Sequence, residues 1–292
     1  MSFAGTYTAL VTPFRNGSFD REAFRTLIED QIAGGVEGIV PVGTTGESPT
    51  LTHEEHTDVI RSAIEAANGR CRVIAGTGSN STNEAVSLTK QAEKLGADAA
   101  LLVAPYYNKP SQEGLYRHYR AIAEAVKIPI VLYSIPGRCG IEIGIETIWR
   151  LAQDCANIVC LKEAGGTVER VSQLRQILPD SFEILSGDDS LTLPFLAAGG
   201  VGVISVASNL IPREIANFVR AWRSGHTQEA MDAHRNYYRL FKDLFIETNP
   251  VPIKYALSLK GLISAEVRLP LCEMGDSSKE KLRSTLAGLK LL

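Results

Sequence analysis

Eight short apolar runs rich in β-branched residues recur along the chain, at residues 6–11, 38–42, 72–75, 99–103, 130–133, 158–161, 182–185 and 202–204. Between them apolar residues return three and four positions apart, as in Phe24, Leu27, Ile28 and Ile32, or Val59, Ile60, Ala63 and Ile64. That is the spacing of one buried helical face. The runs start roughly 20 to 34 residues apart, the length of one strand-helix-strand unit. Several, such as Ala99-Ala100-Leu101-Leu102-Val103, are apolar without alternation, so both faces of the sheet should be covered and the strands parallel. Eight such units, with no Gly-x-Gly-x-x-Gly after the first strand, favour a closed (β/α)8 TIM barrel of the α/β class over an open doubly wound sheet. A helix over 213–224 closes the pattern, and residues 228–245, 250–259 and 278–289 read as helices with no further strand and no Ser/Gly-rich linker before them. The expected organisation is a barrel over 1–224 and a helical C-terminal extension over 225–292.

Composition removes several classes of function. With 45% hydrophobic against 22% charged residues the chain can bury a core, and 30 basic against 33 acidic residues leave a net charge of −3. That balance supplies no field for nucleic acid or an anionic membrane. The start, Met1-Ser2-Phe3-Ala4-Gly5-Thr6, has neither the basic flank nor the apolar stretch of a secretory signal, and no apolar run approaches a membrane span. A cytoplasmic protein is expected. Its five cysteines form no Cys-x-x-Cys pair, so they read as reduced structural thiols rather than a disulfide or metal framework.

In a barrel of this kind the residues just after each strand face the functional mouth. Here they are Thr12-Pro13, Gly43-Thr44-Thr45-Gly46-Glu47, Pro105-Tyr106-Tyr107-Asn108, Tyr133 to Arg138, Lys162, Ser186-Gly187-Asp188-Asp189 and Ser205. Lys162 follows Ile158-Val159-Cys160-Leu161 and emerges on an apolar stem. Desolvation there lowers its pKa and frees a neutral amine to attack a carbonyl, although a simple ion pair with Glu163 or with an acidic loop residue is the bland alternative. The remaining lysines fall on expected helices or in loops and offer no comparable approach. Gly43-Thr44-Thr45-Gly46 can present hydroxyls and amides to a small carboxylate, or be an ordinary loop; it lacks the Gly-Lys-Ser/Thr of a nucleotide loop. Tyr133 ends an apolar strand, as a proton carrier or as a satisfied core tyrosine. Arg138, in a Pro/Gly-containing loop, offers a fork for a carboxylate or a surface salt bridge. His53 and His56 have metal spacing but no third ligand in register.

Taken together, Gly43-Thr44-Thr45-Gly46-Glu47, Tyr106-Tyr107-Asn108-Lys109-Pro110, Tyr133-Ser134-Ile135-Pro136, Leu161-Lys162-Glu163 and Asn249-Pro250-Val251-Pro252-Ile253-Lys254-Tyr255 resemble the 4-hydroxy-tetrahydrodipicolinate synthase (dihydrodipicolinate synthase) family. The resemblance spans the chain. That family is a branch of the pyruvate-dependent class I aldolases, which also include N-acetylneuraminate lyase. The resemblance implies a Schiff-base-forming lyase, without cofactor or metal, that condenses pyruvate with L-aspartate 4-semialdehyde on the way to diaminopimelate and lysine. Lys162 matches the imine-forming lysine, and Tyr133, Thr44 and Tyr107 match the proton relay. Thr45, Gly187 and Ile204 match the pyruvate site, and Arg138 the residue that holds the semialdehyde carboxylate. Ser48, His53, His56, Asn80, Glu84 and Tyr106 match a site for feedback inhibition by L-lysine, which gives the two histidines a role without a metal. A homotetramer built from two dimers is implied, with Tyr107 reaching the neighbouring active site. Thr44-Thr45, Tyr106-Tyr107 and Arg138 favour the synthase over its sister lyases, whereas Ser134, Gly137 and Cys139 depart from the usual synthase pattern around Arg138. A non-catalytic barrel that merely binds a small ligand is the alternative of another class.

Overall fold

The computed structural model describes residues 2–292. Eight parallel strands close into a barrel: β1 Gly5–Ala9, β2 Gly38–Val40, β3 Arg72–Gly76, β4 Ala99–Val103, β5 Ile130–Ser134, β6 Ile158–Glu163, β7 Glu183–Ser186 and β8 Gly202–Ser205, each beside its sequence neighbour and β8 beside β1. A helix follows each strand: α1 Arg21–Gly34, α2 His53–Ala67, α3 Thr82–Leu95, α4 Gln112–Ala125, α5 Ile145–Asp154, α6 Glu169–Ile177, α7 Thr192–Ala197 and α8 Pro212–Arg223. Three more complete the chain: α9 Thr227–Asp243, α10 Val251–Leu259 and α11 Asp276–Gly288. No helix among the described residues is long and apolar enough to cross a membrane.

Local chemistry sets these boundaries. Asp20 caps α1 by accepting from Ala23 N, and Thr52 with Glu55 forms a reciprocal capping box at the start of α2, satisfying amides that the first helical turn leaves orphaned. Pro212 opens α8, where its missing N–H costs nothing. Strand β2 stops at Val40, short of the expected 42, because Val42 turns to φ 50°. That left-handed conformation is unusual for a β-branched residue and ends the extended run. Strand β6 instead runs past Leu161 to Glu163, so Lys162 lies within the ladder.

The chain forms two compact units, one of residues 73–204 with the segment up to Ala4, the other of residues 5–72 and 205–292. In the first, α4 buries Leu115, Tyr119 and Ile122 against Leu102, Ile130 and Leu132 of the strands, with Ile148, Leu151, Leu174 and Phe195 filling in from α5 to α7. Each fully buried aliphatic side chain of this kind contributes about 1.5–3 kcal/mol. In the second, Phe14, Phe24, Leu27, Ile28 and Phe241 are buried, and the helices beyond residue 224 belong to it. A short hairpin, Phe14–Arg15 against Ser18–Phe19, carries Phe14 into that core.

Candidate active site

In the first unit Lys162 is the direct ladder partner of Tyr133 on one side and of Leu185 on the other. Paired residues in a parallel ladder share a face, and the Lys162 Nζ lies 4.1 Å from the centre of the Tyr133 ring. Both side chains are buried. Burial pushes the Lys162 ammonium down from 10.5 to about 7, opposed by the carboxylate of Asp189 and aided by the positive charge of Arg138. Gly187 leaves the lysine its space: a Cβ there would stand 2.7 Å from the Ala164 methyl and 3.0 Å from Lys162 Cε. Ile204, near the end of β8, is also buried.

The next residues point the other way. Glu163 is buried and accepts from Arg170 Nε at 2.7 Å, while Gly165 N donates to its Oε1 at 2.6 Å. Glu163 therefore has its own counter-ion and is not the partner of Lys162; the acidic residue whose charge acts on Lys162 is Asp189 in the loop that follows β7. Ser134, the ladder partner of Glu163, accepts from Ile143 N at 3.4 Å; it lies on the face opposite Tyr133 and Lys162. Arg138 is not in an irregular loop. It rides a one-turn helix, Pro136–Cys139, opened by the proline and exposed on its outer side. Asp188 caps the following turn of 3-10 helix by accepting from Ser190 N at 2.7 Å, which brings Asp189 into its first position.

In the second unit Thr44 and Thr45 sit on a tight turn after β2 in which Gly46 N donates to Gly43 O and Glu47 N to Thr44 O, each at 3.1 Å. Gly46 admits no side chain, since a Cβ would come within 2.9 Å of Val42 N. Thr45 is buried, and its Oγ1 accepts from Asn249 Nδ2 at 3.0 Å. Glu47 has φ 53° and no exposed side chain. Its Oε1 accepts from Lys254 Nζ at 2.6 Å and its Oε2 from Arg268 N at 3.1 Å. Lys254 also donates to Thr12 O at 2.9 Å, and the Phe14 ring lies between Lys254 Nζ and the Arg268 guanidinium at 4.3 and 4.2 Å. The sequence reading passed over Lys254 as a helical lysine, yet it is more deeply buried than Lys162. Burial lowers its pKa against the opposing pull of Glu47, and its amine is engaged by the Glu47 carboxylate and Thr12 O, a structural arrangement rather than an open nucleophile.

The other candidate residues divide between the units. Ser48 begins a 3-10 turn, His53 is the first residue of α2 and exposed, and His56 is buried one turn later. In the first unit Ser79 Oγ donates to Glu84, Asn108 Nδ2 donates to Asn80 O at 2.9 Å, and Tyr106 is partly exposed. Tyr107 stands 90% exposed at the centre of a three-residue turn, φ 73°, closed by Asn108 N donating to Tyr106 O at 2.9 Å. That turn is rare and strained for a residue with a side chain.

A family model described as the dihydrodipicolinate synthetase family matches residues 2–289. The chain belongs to that family. A 4-hydroxy-tetrahydrodipicolinate synthase from Sulfurihydrogenibium sp. is 53% identical over 285 residues, 97% of each chain. The solved structure of the synthase from Methylacidiphilum fumariolicum SolV superposes with a TM-score of 0.98 at 55% identity, covering 99% of this chain and 96% of the other. A lysine-bound family structure from Cyanidioschyzon merolae gives 0.97 at 45%, covering 99% of both. A chloride-inhibited family enzyme from Acinetobacter baumannii complexed with pyruvate gives 0.97 at 44%, covering all of both. In this member of the family Lys162 and Tyr133 are ladder neighbours near the ends of their strands.

Proposed function

We propose that this chain condenses pyruvate with L-aspartate 4-semialdehyde to give 4-hydroxy-tetrahydrodipicolinate, working at the carboxyl ends of a barrel formed by residues 1–224 and extended by helices over 225–292. The observation that carries this reading is Lys162: a buried amine with a pKa of about 7, seated beside a buried phenol. Its neutral form attacks C2 of pyruvate, water leaves, and an imine forms. Loss of a methyl proton gives an enamine whose carbon attacks the aldehyde. The amine of the adduct then attacks C2, closing the ring and displacing Lys162. Tyr133, with Thr44 and Tyr107, carries the protons. Thr45, Gly187 and Ile204 hold pyruvate, and Arg138 grips the second carboxylate. The placement of Ser134 on the opposite face of β5 supports a semialdehyde site that tolerates this departure from the family pattern.

Family membership and the pyruvate complex of the Acinetobacter baumannii relative support pyruvate as first substrate. The lysine-bound relative supports feedback inhibition through Ser48, His53, His56, Asn80, Glu84 and Tyr106. The exposed, strained Tyr107 suits a group completed by a neighbouring subunit, hence a tetramer of two dimers. Five free cysteines suit a reducing cytoplasm.

Borohydride reduction with pyruvate, followed by mass spectrometry, should place one adduct on Lys162, and the enzyme should then consume the semialdehyde. An adduct elsewhere overturns the nucleophile; imine formation with turnover only of sugar aldehydes overturns the substrate. Titrating L-lysine at fixed substrates should inhibit, and Glu84→Ala should abolish that inhibition while sparing turnover.

A further inference from the structure

The geometry points to Asn249 as a positioning residue for the pyruvate carboxylate, acting through Thr45. This inference rests on the reading of Thr45 as a pyruvate ligand and goes one step beyond it. A threonine hydroxyl has one proton to donate and two lone pairs to accept with. Asn249 Nδ2 donates to Thr45 Oγ1 at 3.0 Å, with both residues buried. That contact occupies an accepting position and leaves the proton as the group with which the hydroxyl can meet a ligand. A free hydroxyl would have to give up its rotational freedom to aim its proton at a carboxylate; this one is already set as a donor.

The support beneath it is built for the same end. Asn249 immediately precedes α10, and five residues on Lys254 pins Glu47 and Thr12, the two ends of the segment that includes the turn. One stretch of chain therefore orients the turn's hydroxyl and fixes its backbone. Thr45 itself has little freedom to re-aim, since it lies between Val42 in a left-handed conformation and Gly46, which has no room for a side chain. A group held this rigidly recognises a ligand without the entropy cost of ordering itself on binding.

The test is a double-mutant cycle read by imine trapping on the whole protein, which reports pyruvate binding before the semialdehyde enters. Asn249→Ala should raise the pyruvate concentration for half-maximal trapping by about 5- to 10-fold, the size of one neutral hydrogen bond, with little change in the semialdehyde KM. Asn249→Asp keeps the shape but reverses the bond, since its carboxylate takes the Thr45 proton; it should weaken pyruvate by more than Asn249→Ala does. Thr45→Val should weaken pyruvate as well, and adding Asn249→Ala to it should cost nothing further. If Thr45→Val leaves pyruvate binding unchanged, the reading of Thr45 as a ligand fails. If Thr45→Val weakens binding but neither Asn249 variant does, or if their effects persist undiminished in the Thr45→Val background, only the role of Asn249 fails. Should Asn249→Ala not fold, the near-isosteric Asn249→Asp carries the same decision.

Discussion

Lys162 and Tyr133 face one another across the ladder between β5 and β6, the amine 4.1 Å from the ring centre. The register shift in this ladder falls at Ile130 and Val131, so beyond it Tyr133 and Lys162 are aligned by the same backbone hydrogen bonds that close the barrel.

Imine formation at low pyruvate should rise with pH through an apparent pKa of about 7 and level off once the amine is neutral. Asp189 favours the ammonium and Arg138 opposes it, so Asp189→Asn should shift the rise to lower pH and Arg138→Ala to higher pH. Stopped-flow trapping across a pH series checks both directions. Because the folded-state pKa lies below the ordinary 10.5, the unfolded chain binds more protons between about 7 and 10.5. Lys162 therefore adds stability as pH rises through that window and none below it.

Gly187→Ala should slow imine formation by about 10- to 100-fold, because its methyl would collide with Ala164 and Lys162 Cε and overpacking of this kind costs about 1–3 kcal/mol. Gly137→Ala is the control. A Cβ there meets nothing within 4 Å, and trapping should be unchanged. A normal rate in Gly187→Ala would show that the strand end yields.

Lys254→Met leaves the Glu47 carboxylate buried without its cation. Removing one partner of such a pair costs about 3–5 kcal/mol, and urea denaturation should register a loss of that order. A variant as stable as the parent would mean that water reaches Glu47.

Tyr107→Phe and Lys162→Ala chains, each inactive alone, should regain some turnover when mixed, if the exposed Tyr107 completes a neighbour's site. No recovery in verified mixed dimers would assign the tyrosine to its own chain.

The barrel was legible because its evidence is periodic: eight apolar runs at regular intervals survive any reasonable shift of boundary. Lys162 was legible for a local reason, an unbroken apolar approach. The supports of the anion turn were not. Asn249, Lys254 and Arg268 meet Thr45 and Glu47 across 204, 207 and 221 residues of sequence, and no periodicity links positions so far apart. Val42 and Tyr107 could not be foreseen as left-handed either, since the preference of residues with a side chain runs against it. The one-turn helix under Arg138 had a readable cue, the Pro136 that opens it.

Translation delivers the two sides of the anion turn at opposite ends of its course. All eight strands have been made by Ser205, yet Asn249, Lys254 and Arg268 arrive tens of residues later. Until then Glu47 lacks the lysine that pairs with it, and a carboxylate buried alone is disfavoured, so the turn over residues 43–47 waits on the end of the chain for its supports. On the proposed function, a polypeptide stopped short of residue 249 would carry Lys162 without the contacts that hold Thr45 and Glu47, and pyruvate trapping on such a stalled chain would expose the difference.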